Sequence, residues 1–209
     1  MEFESSVSLY QPPTMDEFKL GSVAHFTKTP LGSDVENPDE TVKRATLAVA
    51  CFKQKHLSVF EFAEMVFLIR CPIFVARQLF RHRNGTFMEK SLRSLEPTQF
   101  KPTSDVDDTT TSADDIYDRA YCVSYEAYKR LLECGERKER ARAVLPLATP
   151  TEFLWKIGLR SLLNVFEQRL HPAAQKETRE VVGKMYDLVK PYFPNIFHVI
   201  EDECLYGTR

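Results

Sequence analysis

The sequence predicts an α+β domain, rich in helices and with only a few strands. Three observations lead there. Several windows carry apolar residues at helical spacing, one short β-rich run (Glu64 to Arg70) is closed by Cys71-Pro72, and the elements do not alternate as repeated βαβ units. A chain of 209 residues, 43% hydrophobic and 11% aromatic, has enough apolar material for one sizeable domain spanning 1–209.

The elements follow in chain order. Residues 1–40 are rich in Pro, Ser, Asp and Glu, and Thr29 to Glu40 reads as a surface loop leading into a helix. Between Thr41 and Lys55, residues Val42, Ala45, Leu47, Ala48 and Val49 have helical spacing, and "HLSVFEF" follows. "EMVFLIR" reads as a strand. Pro72 then suits a helix start, with Phe74, Val75, Leu79 and Phe80 turned inward for about three turns. Asn84-Gly85 reads as the stop of that helix, because both residues tolerate the left-handed conformation. "TFMEKSLR" alternates, so that Phe87, Glu89, Ser91 and Arg93 share one side of an extended segment and Met88, Lys90 and Leu92 the other.

Pro102 to Asp115 has almost nothing to bury and reads as a mobile loop. Ile116, Ala120, Val123, Ala127 and Leu131 keep helical spacing up to Gly135, and "ERKERARAVL" continues as a basic helix broken at Pro146. Thr149-Pro150-Thr151-Glu152 offers a capping box for a helix through "EFLWKIGLRSLLNVFEQRL". A last amphipathic helix, "QKETREVVGKMYDLV", ends near Pro191.

The net charge of −2 gives the whole chain no affinity for nucleic acid or acidic membranes, so any anion site must be local. The start "MEFESSVSLYQPP" has no basic region followed by an apolar stretch, and the longest apolar run, Met65 to Ile69, is too short to span a bilayer. A cytoplasmic protein is expected. Its five cysteines (Cys51, Cys71, Cys122, Cys134, Cys204) are odd in number and form no C-x-x-C, which speaks against a disulfide framework or a metal site.

One stretch departs from the overall charge. "FVARQLFRHRNGTFMEKSLRS", Phe74 to Ser94, gathers Arg77, Arg81, His82, Arg83 and Arg93. On a continuing helix Gln78, Arg81 and His82 share a face, while Arg83 lies roughly 140° from Gln78. The helix must end here for Arg83, Glu89, Ser91 and Arg93 to curl back towards that face. Guanidinium forks bind phosphate, Gln78 offers a donor and an acceptor for a pyrimidine edge, and Ser91 adds a hydroxyl. On the residues alone, a solvated basic helix end that complements the helix dipole stands beside this anion-site reading. A nucleic-acid patch would need positive charge and stacking aromatics elsewhere.

"RHRNGTFMEKS" resembles the R-H-R-(seven residues)-S signature of the flavin-dependent thymidylate synthases, the family unrelated in fold to the cysteine-based enzymes. "HLSVFE", "PIFVARQ", "RAVLPL" and "RSLLNVFEQR" followed by "AAQKE" resemble further stations of that family, in its order, from His56 to Glu177. The resemblance implies an α/β (α+β) fold with a central twisted sheet flanked by long helices. It also implies a homotetramer with sites between subunits, and reductive methylation of dUMP to dTMP. The methylene group would come from 5,10-methylenetetrahydrofolate and the hydride from FAD, with NADPH as reductant. By matching position, Gln78, Arg81, Glu89, Ser91, Arg93 and Arg142 resemble the residues that bind dUMP, and Arg169 the catalytic arginine at the uracil edge. His56, Ser58, Arg81, His82, Arg83, Glu89, Arg160 and Asn164 resemble the FAD contacts.

No G-x-G-x-x-G occurs among the seven glycines, so side chains would have to hold the flavin diphosphate. Read without the family, Arg160 and Asn164 are also a solvated pair four residues apart, and His56 a structural histidine. The chain departs from the family pattern at Thr86, Met88, Ser94 and Gly158, and "VAHFTK" lacks the arginine expected near the N-terminus. A uridylate-modifying flavoenzyme with another nucleotide or product, and a non-catalytic nucleotide-binding protein, are the competing readings.

Overall fold

The computed structural model describes residues 5–26, 41–97 and 112–203. Four strands, β1 (Ser6–Gln11), β2 (Glu64–Pro72), β3 (Gly85–Glu89) and β4 (Pro150–Gly158), form one sheet in the order β1-β2-β4-β3. The helices are α1 (Glu17–Phe26), α2 (Thr41–Lys53), α3 (Ile73–Leu79), α4 (Ala113–Glu133), α5 (Lys138–Ala141), α6 (Leu159–Arg169), α7 (Lys176–Val189) and α8 (Pro194–Asp202). Leu57–Phe62, Arg142–Val144 and Lys190–Tyr192 form 3-10 turns. The expected mixture of helices and a sheet is what the chain forms.

Contacts divide the chain into two compact units. The first comprises Met1–Ser6, Ile69–Arg81 and Met88–Phe153, and the second Val7–Leu68, His82–Phe87 and Leu154–Arg209.

In the first unit α3 buries Val75, Ala76 and Leu79, and the Phe80 ring meets Phe153 edge-on at 4.9 Å. The first two amide N–H groups of α3, on Ile73 and Phe74, donate to the carbonyls of Thr149 and Leu147 at 3.0 and 3.1 Å, which satisfies donors that a helix start leaves open. Contrary to expectation, α3 stops at Leu79, four residues before Arg83. Asn84-Gly85 is therefore no helix stop, and Gly85 opens β3 with no left-handed φ. Gln78 stays on the helix, while Arg81 lies in the turn after it.

The expected extended segment is also shorter, since β3 ends at Glu89 and Ser91 starts a tight turn whose carbonyl accepts from the N–H groups of Ser94 and Leu95. Of the loop expected at Pro102 to Asp115, the part up to Thr111 lies outside the described residues. Ser112 caps α4 and Ala113 to Asp115 open it. The end of α4 follows the sequence: Gly135 takes φ +84°, its N–H donates to Leu132 and that of Glu136 to Leu131, a left-handed helix stop. The apolar stripe assigned to this helix points the wrong way, because Ile116 and Val123 are 60% and 63% exposed while Asp118, Tyr121 and Tyr128 are buried.

The second unit holds the larger core. Phe166 of α6, Tyr186 of α7 and Phe197 of α8 pack ring against ring with centroids 4.6 to 6.0 Å apart, and each such buried side chain stabilises by about 1.5–3 kcal/mol. Buried Glu17, at the start of α1, accepts from the amides of Asn195 and Ile196 and from Asn195 Nδ2, capping α8. Neither β1, α1 nor α8 was expected.

The capping box at Thr149 to Glu152 proves to be the start of β4. Thr151, Phe153, Trp155 and Ile157 are buried, and the residues between them are less so, a period of two that a helix cannot produce. Helix α6 begins only at Leu159, where the chain is pinned by its N–H donating to Ala63 at 2.8 Å.

Candidate functional site

Within the first unit, the last two residues of β3 and the turn after it carry three of the candidate residues. Glu89 ends the strand and accepts from the Thr151 hydroxyl at 2.6 Å. Ser91 turns its hydroxyl oxygen to the Arg93 backbone N–H and to Arg93 Nε, both at 3.3 Å, and Arg93 is exposed. Beside them, a cavity of about 80 Å³ is lined by Arg70, Lys90, Leu92, Glu96, Thr151 and Glu152 among others. Lys90 pairs with Glu152 across the strands, through their side chains and through a backbone bond of 2.9 Å.

Gln78 is half-buried near the end of α3, and Arg81 is exposed in the turn that follows. Exposed Arg142 donates through Nε to the Glu139 carbonyl at 3.2 Å, within its own turn. Cys71 is fully buried, and burial, aided by the charge of Glu89, pushes its thiol up to about 12. It stays protonated at any physiological pH. A thiol in that state is no nucleophile.

The second unit gathers another group. Arg169, the last residue of α6, donates from Nε to His82 Nε2 at 2.9 Å, joining positions 87 residues apart. His82 is half-buried, with its ring 6.3 Å from that of fully buried Trp155, against which Phe87 also stacks at 4.9 Å. Burial first, and the neighbouring Arg169 charge second, hold the His82 imidazole below the usual histidine range. Neutral imidazole is the form that can accept this bond.

At the other end of α6, Arg160 pairs with Glu61 of the Leu57–Phe62 turn. Ser58 belongs to the same turn, and His56 stands at its N-cap position without a capping bond, both exposed. Asn164, one helical turn beyond Arg160, accepts from Gln168 Nε2 at 3.1 Å. Arg83 is exposed.

The folded chain thus joins Arg169 to His82, Ser91 to Arg93, and Arg160 to the turn carrying His56 and Ser58. Two partners escaped the sequence reading: Thr151, hidden by taking β4 for a helix, and Glu61. The alternation of Thr151, Phe153, Trp155 and Ile157 was the signal that would have found the first.

Comparison with known proteins adds a second line of observation. The family model described as "Thymidylate synthase complementing protein" matches residues 17–195. The chain is 33% identical over 178 residues to a flavin-dependent thymidylate synthase of Thermus thermophilus, covering 78% of this chain and 66% of the relative. It is 31% identical over 190 residues to that of Thermosipho africanus, covering 83% of this chain and 77% of the relative. Among solved structures, the UMP/dUMP methylase PolB from Streptomyces cacaoi, bound with 5-Br dUMP, aligns with a TM-score of 0.74 and 25% identity over 95% of each chain.

Proposed function

This chain belongs to the thymidylate synthase complementing protein family, the flavin-dependent thymidylate synthases, and from that premise we propose that it converts dUMP to dTMP. The methylene carbon of 5,10-methylenetetrahydrofolate moves to C5 of dUMP, NADPH is the reductant, and tetrahydrofolate and NADP+ leave with dTMP. The observation that carries this reading is the family match across residues 17–195.

The guanidinium groups of Arg81, Arg93 and Arg142, with the Ser91 hydroxyl, bind the nucleotide phosphate. Arginine forks match phosphate oxygens better than ammonium groups do. Gln78 and Glu89 contact the nucleotide, Gln78 with one donor and one acceptor. Arg169 sets a fixed positive charge beside uracil N3 and O4, which stabilises the negative charge that develops as C5 attacks the methylene carbon. Electrostatic activation of this kind needs no covalent nucleophile. The protonated Cys71 thiol is consistent with that.

The donor set of the second unit fits a flavin dinucleotide: exposed Arg83 and Arg160 offer charge to a diphosphate, and His56, Ser58 and Asn164 offer neutral polar contacts. Arg81, His82 and Glu89 complete the proposed FAD contacts. FAD, when bound, supplies the hydride that completes the methyl group. Gly158, where a side chain would meet only the Ala63 carbonyl at 3.7 Å, leaves open space rather than a contact.

We include in the proposal a single functional domain, a cytoplasmic setting and a homotetramer. No described helix is long and apolar enough to cross a membrane.

The test is to incubate purified protein with FAD, NADPH, 5,10-methylenetetrahydrofolate and either dUMP or UMP, and to weigh the products. A dUMP product heavier by one CH2 is expected. Product from UMP alone, or none from either nucleotide, overturns the reading. Arg169→Ala should lower kcat roughly 100- to 1,000-fold while flavin stays bound, since its charge acts on the pyrimidine.

A further inference from the structure

We propose that Thr151 is the positioning residue for Glu89: its buried hydroxyl holds one carboxylate oxygen and so fixes the direction in which the other meets the nucleotide. The inference deepens the reading above and rests on it for the role of Glu89. An ionised carboxylate has no hydrogen to give, so in the 2.6 Å bond the Thr151 O–H is the donor and Glu89 Oε1 the acceptor. Among the described residues this is the one hydrogen bond to the Glu89 side chain, and Oε2 receives none.

The two partners differ in how firmly they are held. Glu89 ends β3, the last strand in the sheet order, and its long side chain is exposed, with rotamers to lose when it binds. Thr151 is 6% exposed on β4, which lies between β2 and β3. Backbone bonds fasten β4 on either side of it: the Ile73 N–H donates to the Thr149 carbonyl at 3.0 Å, and the Lys90 N–H to the Glu152 carbonyl at 2.9 Å. A β-branched side chain on such a strand has few rotamers, so its hydroxyl points one way. The threonine is the fixed group, and the glutamate is the one it restrains.

Restraint matters because of the charges nearby. Arg93 follows within the same short segment, and a loose carboxylate would pair with that guanidinium and cancel charge that the phosphate needs. Instead each side chain here has its own partner: Ser91 takes Arg93 Nε, Glu152 takes Lys90, and Thr151 takes Glu89. The Glu89 charge is also felt at the fully buried Cys71 thiol of β2, as expected of a carboxylate held against the sheet. Without the Thr151 hydroxyl, the nucleotide meets a mobile carboxylate.

The experiment has two arms. In protein carrying 13C-labelled threonine, without substrates, NMR should find the Thr151 hydroxyl proton slow to exchange with water, and Glu89→Ala should make it fast. A hydroxyl that exchanges as freely as that of an exposed threonine, or one indifferent to Glu89→Ala, overturns the proposal without touching the assigned activity.

The second arm measures dUMP affinity by calorimetry, with FAD held at saturation for every variant and no folate present. Thr151→Val, which keeps the shape and removes the hydroxyl, should weaken dUMP roughly 5- to 20-fold. Thr151→Ser should recover most of that loss. In a Glu89→Ala background, Thr151→Val should add less than about two-fold, because the bond it removes is already gone. Equal losses in both backgrounds, a serine no better than valine, or a Thr151→Val protein that binds dUMP as the parent does counts against the proposal. Should Thr151→Val not fold, Thr151→Ala against the same serine variant makes the comparison. A wild-type protein that binds no dUMP sinks the functional reading, and the NMR arm still decides the pair.

Discussion

Gly85 follows three basic residues and an asparagine, and in sequence it looks like a residue chosen for its backbone freedom. Its φ is ordinary. What requires glycine is the indole opposite: any Cβ would intrude on Trp155 Nε1 at 2.3 Å and on the Lys156 carbonyl at 2.9 Å. Gly85→Ala is therefore expected to destabilise the protein by about 1–3 kcal/mol, through overpacking. Chemical denaturation would measure it, and a variant as stable as the parent would show that the strand can shift at no cost. The candidate charges of the site were legible because arginine, histidine and serine declare their chemistry by type. Their pairings were not, since nothing local to His82 points 87 residues ahead to Arg169. The lowered His82 titration also bears on stability. The unfolded chain takes up the proton first, so its contribution is present above the ordinary histidine range and is lost as pH falls below it.

Elements were read well where one periodicity dominated. Helices α2 and α7 and strand β2 lie where their patterns put them. The segment from Thr149 failed because two signals overlap there: a cap-like Thr-Pro-Thr-Glu favours a helix start, while alternate burial of Thr151, Phe153, Trp155 and Ile157 requires a strand. Pairing with two neighbours in the sheet outweighs a local cap worth about 1 kcal/mol. Helix α3 stops early too, and the chain leaves it where the Phe80 ring packs on Phe153. At the far end, α8 depends on a residue from α1. Glu17→Ala leaves the amides of Asn195 and Ile196 without their acceptor and should cost about 1–3 kcal/mol. Hydrogen exchange at those amides should speed up in the variant, and unchanged protection would refute the capping role.

For the molecule as a whole, the misread stripe on α4 is the informative error. Ile116, Tyr117 and Val123 are each more than half exposed. We place a contact of the proposed homotetramer on this exposed apolar face. Val123→Glu is expected to reduce the assembly to smaller species in sedimentation velocity, and an unchanged sedimentation coefficient would exclude this face. Local pattern alone determined that the protein mixes helices with a sheet, carries a basic R-H-R segment and belongs with the flavin-dependent thymidylate synthases, because each depends on residue type and short-range spacing. Only tertiary structure decided that β4 is a strand, that Gly85 yields to an indole, that α4 turns Tyr121 and Tyr128 inward and that His82 meets Arg169. Those outcomes rest on contacts between distant residues, whose energies exceed the local preferences they override.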